Sequence, residues 1–110
     1  MSGSIHADLA AGRWHTMSLV EQLGNIGSEV GRALRAHGAG NTEREALAFD
    51  RALELFDLTI GDPRRRGSQL REIVRAREVV SDYLMGGNRY QSTPESLDRY
   101  FTQFAIAARR

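Results

Sequence analysis

A periodic apolar pattern between Asn41 and Ile60 constrains the fold of this chain more than any other feature. Apolar side chains recur there at spacings of three and four, which places them on one side of an α-helix. They are Ala46, Phe49, Leu53, Phe56 and Ile60, with Ala52 and Leu55 widening the stripe. Thr42 and Glu45 have the spacing of a capping box, so a helix over 42–60 is predicted. An apolar stripe this wide has to be buried against other helices.

The polar side of the same helix carries four acidic residues, which we call the acidic ridge. They are Glu43, Asp50, Glu54 and Asp57. Leu47 and Leu58 share this otherwise polar side with Arg51. Two leucines on one such face indicate a contact between subunits, and Ile106, which points away from its own helix's apolar stripe, adds to that surface.

Three further segments have helical apolar spacing, and they predict helices over 16–37, 69–85 and 94–108. Ser68 and Thr93 are suitable N-caps for the last two. A short helical segment over 4–11 is also expected. Four helices with short connections predict an all-α fold, an up-down-up-down antiparallel four-helix bundle, in a single domain spanning residues 1–110.

Three glycines lie inside the predicted helix over 16–37. Gly24, Gly27 and Gly31 follow spacings of three and four, on one edge of the apolar stripe. Each costs about 1 kcal/mol in a helix relative to alanine. Close approach of another helix, from the same chain or from a second subunit, would compensate for that cost.

Two large side chains raise questions about burial. Arg77 falls within the apolar stripe of its helix, so its guanidinium needs a carboxylate partner or a route to water. Glu29, Asp50 and Asp57 are the candidate partners. Trp14 is expected to cover one end of the core with its indole N–H near water.

The absence of cysteine excludes disulfides and thiolate metal sites, and it favours a reducing, cytoplasmic location. No segment approaches the ~20 apolar residues of a membrane span. The first residues have neither the basic start nor the apolar run of a secretory signal. A cytoplasmic protein without a membrane partner is therefore expected.

The arginine distribution offers one candidate binding site. All 15 basic residues are arginine, yet the net charge is only +1, so a general nucleic-acid footprint is not present. Five of the arginines fall within twelve positions, and they are Arg64, Arg65, Arg66, Arg71 and Arg75. This arginine cluster suits phosphate binding, and thus nucleic acid. The alternative is a solvated loop, with Arg71 and Arg75 paired to Glu72, Glu78 or the acidic ridge, because no aromatic residue is interleaved to stack bases.

Catalytic and metal-binding patterns are weak. His6, His15 and His37 are far apart and no E-x-x-H pair occurs, so no metal or other cofactor is expected. No serine has an evident base, which argues against an enzyme. Arg32 and His37 do resemble the R-x-x-x-x-H motif of the HEPN ribonucleases. That resemblance implies a histidine acting as acid and base on a ribose 2′-OH, and an arginine stabilising charge on the phosphate.

A second resemblance covers roughly residues 26–60. It is carried by Ile26 to Ala33 (IGSEVGRA), the glycine-rich turn 38–40 and Phe49 to Leu55 (FDRALEL). These segments are similar to the small four-helix-bundle proteins related to 23S rRNA intervening-sequence proteins and to the accessory variability proteins of diversity-generating retroelements. The resemblance implies ring-like oligomers, commonly pentamers. The retroelement members are strongly basic and bind nucleic acid and a reverse transcriptase, whereas this chain is near neutral.

The sequence therefore predicts a non-enzymatic, oligomeric helical-bundle adaptor that binds another macromolecule, with RNA or DNA at the arginine cluster and a reverse transcriptase as the candidate partners. Two alternatives remain open. One is a ribonuclease of the HEPN kind that uses Arg32 and His37, and the other is an antitoxin-like regulatory subunit with a protein partner only.

Overall fold

The computed structural model describes residues 11–109, and within them it is all-helical, without strands. Four long helices account for most of this part of the chain. They are α1 (Leu19–Gly38), α2 (Thr42–Ile60), α3 (Gly67–Met85) and α4 (Pro94–Ala108). The predicted all-α class is confirmed, and so are the bounds of α2 and α4. α1 begins at Leu19 instead of residue 16, and α3 begins at Gly67 instead of residue 69. The predicted segment over 4–11 lies outside the described residues except for Ala11.

Two of the predicted N-cap residues, those of α2 and α3, are not the residues that cap these helices in the structure. Asn41, not Thr42, caps α2, because its side chain accepts a hydrogen bond from the Arg44 amide. Asparagine is at least as good an N-cap as threonine, so Asn41 takes the cap position and Thr42 is the first residue of the helix. The predicted capping box of Thr42 and Glu45 is therefore wrong.

Ser68 does not cap α3 either. The N-cap residue is Arg66, which makes no side-chain capping bond. Gly67 has φ +56°, a conformation that glycine adopts readily, so the chain turns into the helix before Ser68. Thr93 caps α4 as predicted, reciprocally with Ser96. Ser18 and Glu21 form a capping box at α1 that the sequence reading did not identify.

α1 is the central element of the described fold. It packs extensively on both α2 and α4, whereas α3 packs mainly on α2. The fully buried side chains that fill the space between the helices include Leu23, Ile26, Val30, Phe56, Ile73 and Val80. Because α2 packs chiefly on α1, its buried side is rotated relative to the prediction. Ala48 and Thr59 are buried, while Ala46 is exposed.

The glycine stripe of α1 meets α4 of the same chain. A Cβ at Gly24 would lie 3.5 Å from the Ala105 Cα, and one at Gly27 would lie only 2.6 Å from the Phe101 Cβ. The predicted close approach is therefore confirmed at two of the three glycines, and α1 and α4 run in opposite directions there. Gly31 is buried, but a Cβ there would meet the Arg35 guanidinium of its own helix, at 3.3 Å.

Trp14 lies inside the core instead of covering it. The side chain is only 6% exposed, and its indole N–H donates to the Thr59 hydroxyl at 2.8 Å. The expectation of an N–H near water was wrong because α2 supplies a buried acceptor at the required position. The indole thus fixes the segment before α1 onto the C-terminal end of α2.

The acidic ridge of α2 is solvent-exposed throughout, as predicted. One of its members, Asp57, accepts from the Arg77 Nε at 3.0 Å. This ion pair identifies Asp57 as the carboxylate partner among the three candidates for Arg77.

Among the described helices, none combines the length and apolar content that crossing a bilayer requires.

Candidate functional site

The structure separates the predicted arginine cluster into two groups. Arg64 and Arg65 belong to the α2–α3 turn and point back into the fold. Arg64 Nη2 lies 2.7 Å from Asp62 Oδ2, and the Arg65 Nε donates to the Gln22 Oε1 at 3.0 Å. Arg65 is only 8% exposed. These two guanidinium groups are committed to the fold, which limits what they can contribute to a ligand.

Asp62 is the centre of this buried polar hub. Its side chain is fully buried and also accepts from the Gln22 amide at 3.0 Å. Hydrogen bonding from the Arg64 side chain holds the pKa of Asp62 well below its usual range, and Gln22 adds to that effect while burial opposes it. Arg64 and Arg65 both donate to the Met17 carbonyl as well. The hub therefore ties the α2–α3 turn to α1 and to the residues before it.

The other three members of the cluster, Arg66, Arg71 and Arg75, are exposed. Within residues 11–109, neither Arg71 nor Arg75 forms an ion pair, so the alternative pairing with neighbouring carboxylates is not seen. The Arg75 guanidinium instead lies 5.8 Å from the centroid of the Tyr90 ring, in a cation–π contact. Fifteen positions separate these two residues, which is why the spacing along the sequence did not reveal this aromatic partner.

A second basic surface was not predicted. It is an open groove of about 500 Å³ between the C-terminal half of α1 and the N-terminal half of α2. Four arginines line it, and we call it the arginine groove. They are Arg32, Arg35, Arg44 and Arg51. Alanines 36, 39 and 48 make much of the remaining surface, and Leu47 stands at its side with 56% of its surface exposed.

The charge of the arginine groove is mostly uncompensated. Arg32 pairs with Glu29, which is the one carboxylate among the described residues that line the groove. Among the described residues, Arg35, Arg44 and Arg51 form no ion pair. The second carboxylate oxygen of Glu29, Oε2, is buried and has no hydrogen-bond partner in the described part of the chain. Four guanidinium groups thus face one carboxylate in a concave, water-accessible surface, an arrangement that attracts anions.

The groove follows from how α1 and α2 connect. Only residues 39–41 separate the two helices, so the end of α1 lies beside the start of α2. Arg44 and Arg51 are seven positions apart, two helical turns, and therefore share a face. Arg32 was predicted only as part of the ribonuclease-like motif, and Arg51 only beside Leu47 and Leu58 on a subunit contact. A short connection between two helices that both carry arginines is the signal in the sequence that could have predicted the groove.

The ribonuclease-like pair is divided between two environments. Arg32 lines the arginine groove, whereas His37 is not among the lining residues. The His37 Nδ1 lies 3.0 Å from the Glu45 Oε1, and the imidazole packs edge-on against Tyr83 with ring centroids 5.7 Å apart. No hydrogen bond joins Arg32 and His37 within residues 11–109. The motif therefore stays a sequence resemblance.

A third surface is apolar. α3 and α4 leave between them a groove of about 300 Å³, lined mainly by Ala76, Val79, Val80, Leu97, Tyr100 and Phe101. Burial, together with the nearby charge of Glu72, raises the pKa of Tyr100 to about 12. Because this groove has few charges, it does not resemble an anion site.

No group of three or more histidine, aspartate or glutamate side chains in the described part of the chain is placed to hold a metal ion. No family model, curated protein or solved structure matches the chain. The chemistry of the chain's own surfaces is therefore the basis for inferring its function.

Proposed function

We propose that this protein is a non-enzymatic, cytoplasmic adaptor that binds nucleic acid through phosphate contacts in the arginine groove. The observation that carries the proposal is the convergence of four arginines from two helices on one open concavity, where Glu29 is the one carboxylate among the lining residues that the structure describes. Guanidinium groups match phosphate oxygens in a bidentate geometry and remain charged at all physiological pH values.

The lining of the arginine groove favours a phosphate backbone over a protein partner. A protein interface usually depends on apolar or aromatic anchors that fill pockets. Here the apolar lining consists of alanines and Leu47, which protrudes instead of forming a pocket. None of the described residues that line the groove is aromatic, so none of them can stack on a base. Binding is therefore expected to depend on phosphates and to be largely independent of base sequence.

The test is the binding of labelled RNA and DNA by fluorescence anisotropy at low and moderate salt. The wild-type protein should bind at micromolar concentration or tighter, and the affinity should fall at least tenfold in an Arg44→Ala/Arg51→Ala variant. An Arg71→Ala/Arg75→Ala variant is the matched control, because it removes the same charge from the predicted arginine cluster on α3. Loss of binding in the control with retention in the groove variant would move the site to α3. Absence of binding by the wild type at low salt would refute the proposal.

We also propose that the four helices form an up-down-up-down bundle that assembles as a homo-oligomer. Support comes from the apolar side chains left exposed on separate helices outside the arginine groove, Met85 at 72% and Ile106 at 51%. The resemblance to the intervening-sequence and retroelement accessory proteins suggests a pentamer and, in the second group, a reverse transcriptase as partner. Light scattering should give a multiple of the 12.3 kDa chain mass. A mass of one chain at micromolar concentration would contradict the assembly.

A ribonuclease is the second candidate, because Arg32 lies in the same groove that would hold an RNA strand. The same labelled RNA, run on a denaturing gel after incubation, separates the two functions. Intact RNA supports the adaptor. Cleavage that disappears in His37→Ala would support the ribonuclease instead. A protein that binds no nucleic acid but co-purifies with one defined protein would fit the antitoxin-like regulatory subunit.

A further inference from the structure

Glu29 is the exception among the charged residues of the arginine groove. It is the one carboxylate among the described lining residues, and it lies on the same face of α1 as Arg32 and Ala36. Its side chain is only 14% exposed, although the groove it lines is open. A negative charge at this position opposes the binding of a phosphate, so its presence beside four arginines points to a second role in recognition.

The hydrogen bonds of Glu29 leave one of its two carboxylate oxygens unsatisfied. Oε1 accepts from the Arg32 Nη1, which lies three residues further along α1. Oε2 is buried and has no hydrogen-bond partner in the described part of the chain. Buried polar atoms in folded proteins nearly always have a partner, and a carboxylate oxygen requires one that donates. A ligand of this groove therefore gains from carrying a hydrogen-bond donor as well as its negative charge.

The backbone of a nucleic acid carries one kind of donor. Phosphate oxygens and the ring oxygen of the sugar only accept hydrogen bonds, whereas the ribose 2′-hydroxyl can donate. This hydroxyl is present in RNA and absent from DNA. Each ribose lies between two phosphates of the strand, so phosphates held by arginines of both helices bring a ribose to the residues between them. Donors on the base edges are the same in RNA and DNA, so they do not distinguish the two.

We propose that the arginine groove prefers RNA to DNA because Glu29 accepts a hydrogen bond from a ribose 2′-hydroxyl. This inference rests on the proposed nucleic-acid function of the same groove. Arg32 is 57% exposed, so its guanidinium can turn from Glu29 to a phosphate and leave the carboxylate to the ribose. The two oxygens of the carboxylate exchange by rotation, so either can face the strand. With DNA, the carboxylate meets phosphates without a donor to offset the repulsion, so the same residue also disfavours the wrong ligand.

The first experiment changes the nucleic acid and leaves the protein intact. It compares labelled 20-nucleotide strands by anisotropy at low salt, with adenine and cytosine as the only bases so that RNA and DNA carry identical bases. The wild-type protein should bind the RNA about tenfold more tightly than the DNA, the scale of one hydrogen bond to a charged acceptor. A 2′-fluoro strand keeps the sugar conformation of RNA but cannot donate, so it should bind no more tightly than the DNA.

The second experiment changes the carboxylate. A Glu29→Ala variant should bind RNA and DNA with equal affinity, chiefly because its affinity for DNA rises when the repulsion is removed. Asp57→Ala is the matched control, since it removes an exposed carboxylate that pairs with an arginine, Arg77, outside the groove. The control should keep the preference of the wild type for RNA.

The outcomes separate this inference from the function beneath it. If neither strand binds, or if binding is unchanged in the Arg44→Ala/Arg51→Ala variant, the proposed function fails and the inference fails with it. If RNA and DNA bind equally and both depend on those arginines, the function stands and the preference is refuted. A preference for RNA that persists in Glu29→Ala, or a 2′-fluoro strand that binds as tightly as RNA, would refute the hydrogen bond as its cause.

Discussion

Gly27 is the residue on which the closest helix contact depends, and it makes a direct test. Alanine in a helix is favoured over glycine by about 1 kcal/mol. At Gly27, however, a Cβ would lie 2.6 Å from the Phe101 Cβ, so α1 and α4 must move apart. Overpacking of this kind costs about 1–3 kcal/mol, and Gly27→Ala should therefore lower the free energy of unfolding.

Gly24→Ala is the matched control for that variant. Its Cβ would sit at an ordinary contact distance, 3.5 Å from the Ala105 Cα, so the variant should be neutral or more stable by up to about 1 kcal/mol. Urea unfolding followed by the fluorescence of Trp14, the one tryptophan in the chain, measures both. Equal stability of the two variants would contradict the close approach at Gly27.

Asp62 should give the stability of this protein a distinct pH dependence. The pKa of its carboxyl is lowered in the folded state, chiefly by the Arg64 side chain. Its contribution is therefore complete well above the unfolded-state pKa of about 3.9, and it is lost progressively as the pH falls from that value through the still lower folded-state pKa. Replacing the buried carboxylate by an amide, in Asp62→Asn, should cost about 3 kcal/mol at pH 7, because Arg65 then stays buried beside a neutral group.

The difference between wild type and Asp62→Asn isolates this residue from the other carboxyl groups that titrate in acid. Unfolding free energies measured between pH 7 and pH 3 should converge as the pH falls. A constant difference over that range would mean that the carboxylate charge does not stabilise the hub.

Residue roles within the Arg64–Arg66 run could not be predicted from the sequence. Three adjacent arginines look equivalent in the sequence, and only the partners distinguish them. Gln22 and Asp62 are 40 positions apart, and their hydrogen bond, with the nearby Met17 carbonyl, draws Arg64 and Arg65 inward. Arg66 remains exposed because its Nε donates only to the local Pro63 carbonyl.

At the scale of single helices, the corrected cap of α2 leads to a prediction. Asn41→Ala removes the side-chain acceptor for the Arg44 amide and should cost about 1 kcal/mol. Thr42→Ala changes an exposed residue inside the first turn and should change stability by only a few tenths of a kcal/mol. The same urea titration measures both variants. A larger loss for Thr42→Ala than for Asn41→Ala would restore the predicted cap.

Helix extents were more predictable than helix faces. The bounds of α2 and α4 followed from apolar spacing and from breakers such as Pro94, which are local signals. Which side of α2 is buried depends on the helices that pack against it. Because α1 makes the largest contact, the buried side includes Ala48 and Thr59, which the apolar spacing did not predict. The spacing of the glycines indicated close helix packing, but not that α4 is the partner or that a Cβ at Gly31 would meet Arg35 of its own helix.

For the whole molecule, the all-α class could be read from the sequence, whereas the candidate site could not. The net charge of +1 argued against nucleic-acid binding, but a net charge sums the basic and acidic residues and does not show where on the surface each kind lies. The folded chain separates those charges into a basic groove and an exposed acidic ridge on the same pair of helices. That separation depends on how α1 and α2 pack, which the arginine spacing alone does not reveal.

Salt dependence tests whether phosphates occupy the groove. Binding of a single strand releases about 0.7 counterions for each phosphate neutralised, so three or four contacts predict a slope of log K against log salt of about −2 to −3. Removing one groove arginine, in Arg51→Ala, should make that slope shallower by about 0.7, while Arg71→Ala should leave it unchanged. Anisotropy titrations between low and moderate salt provide the slopes. A steep slope that responds to Arg71 instead of Arg51 would place the phosphates on α3, and a slope near zero would exclude phosphate contacts as the source of affinity.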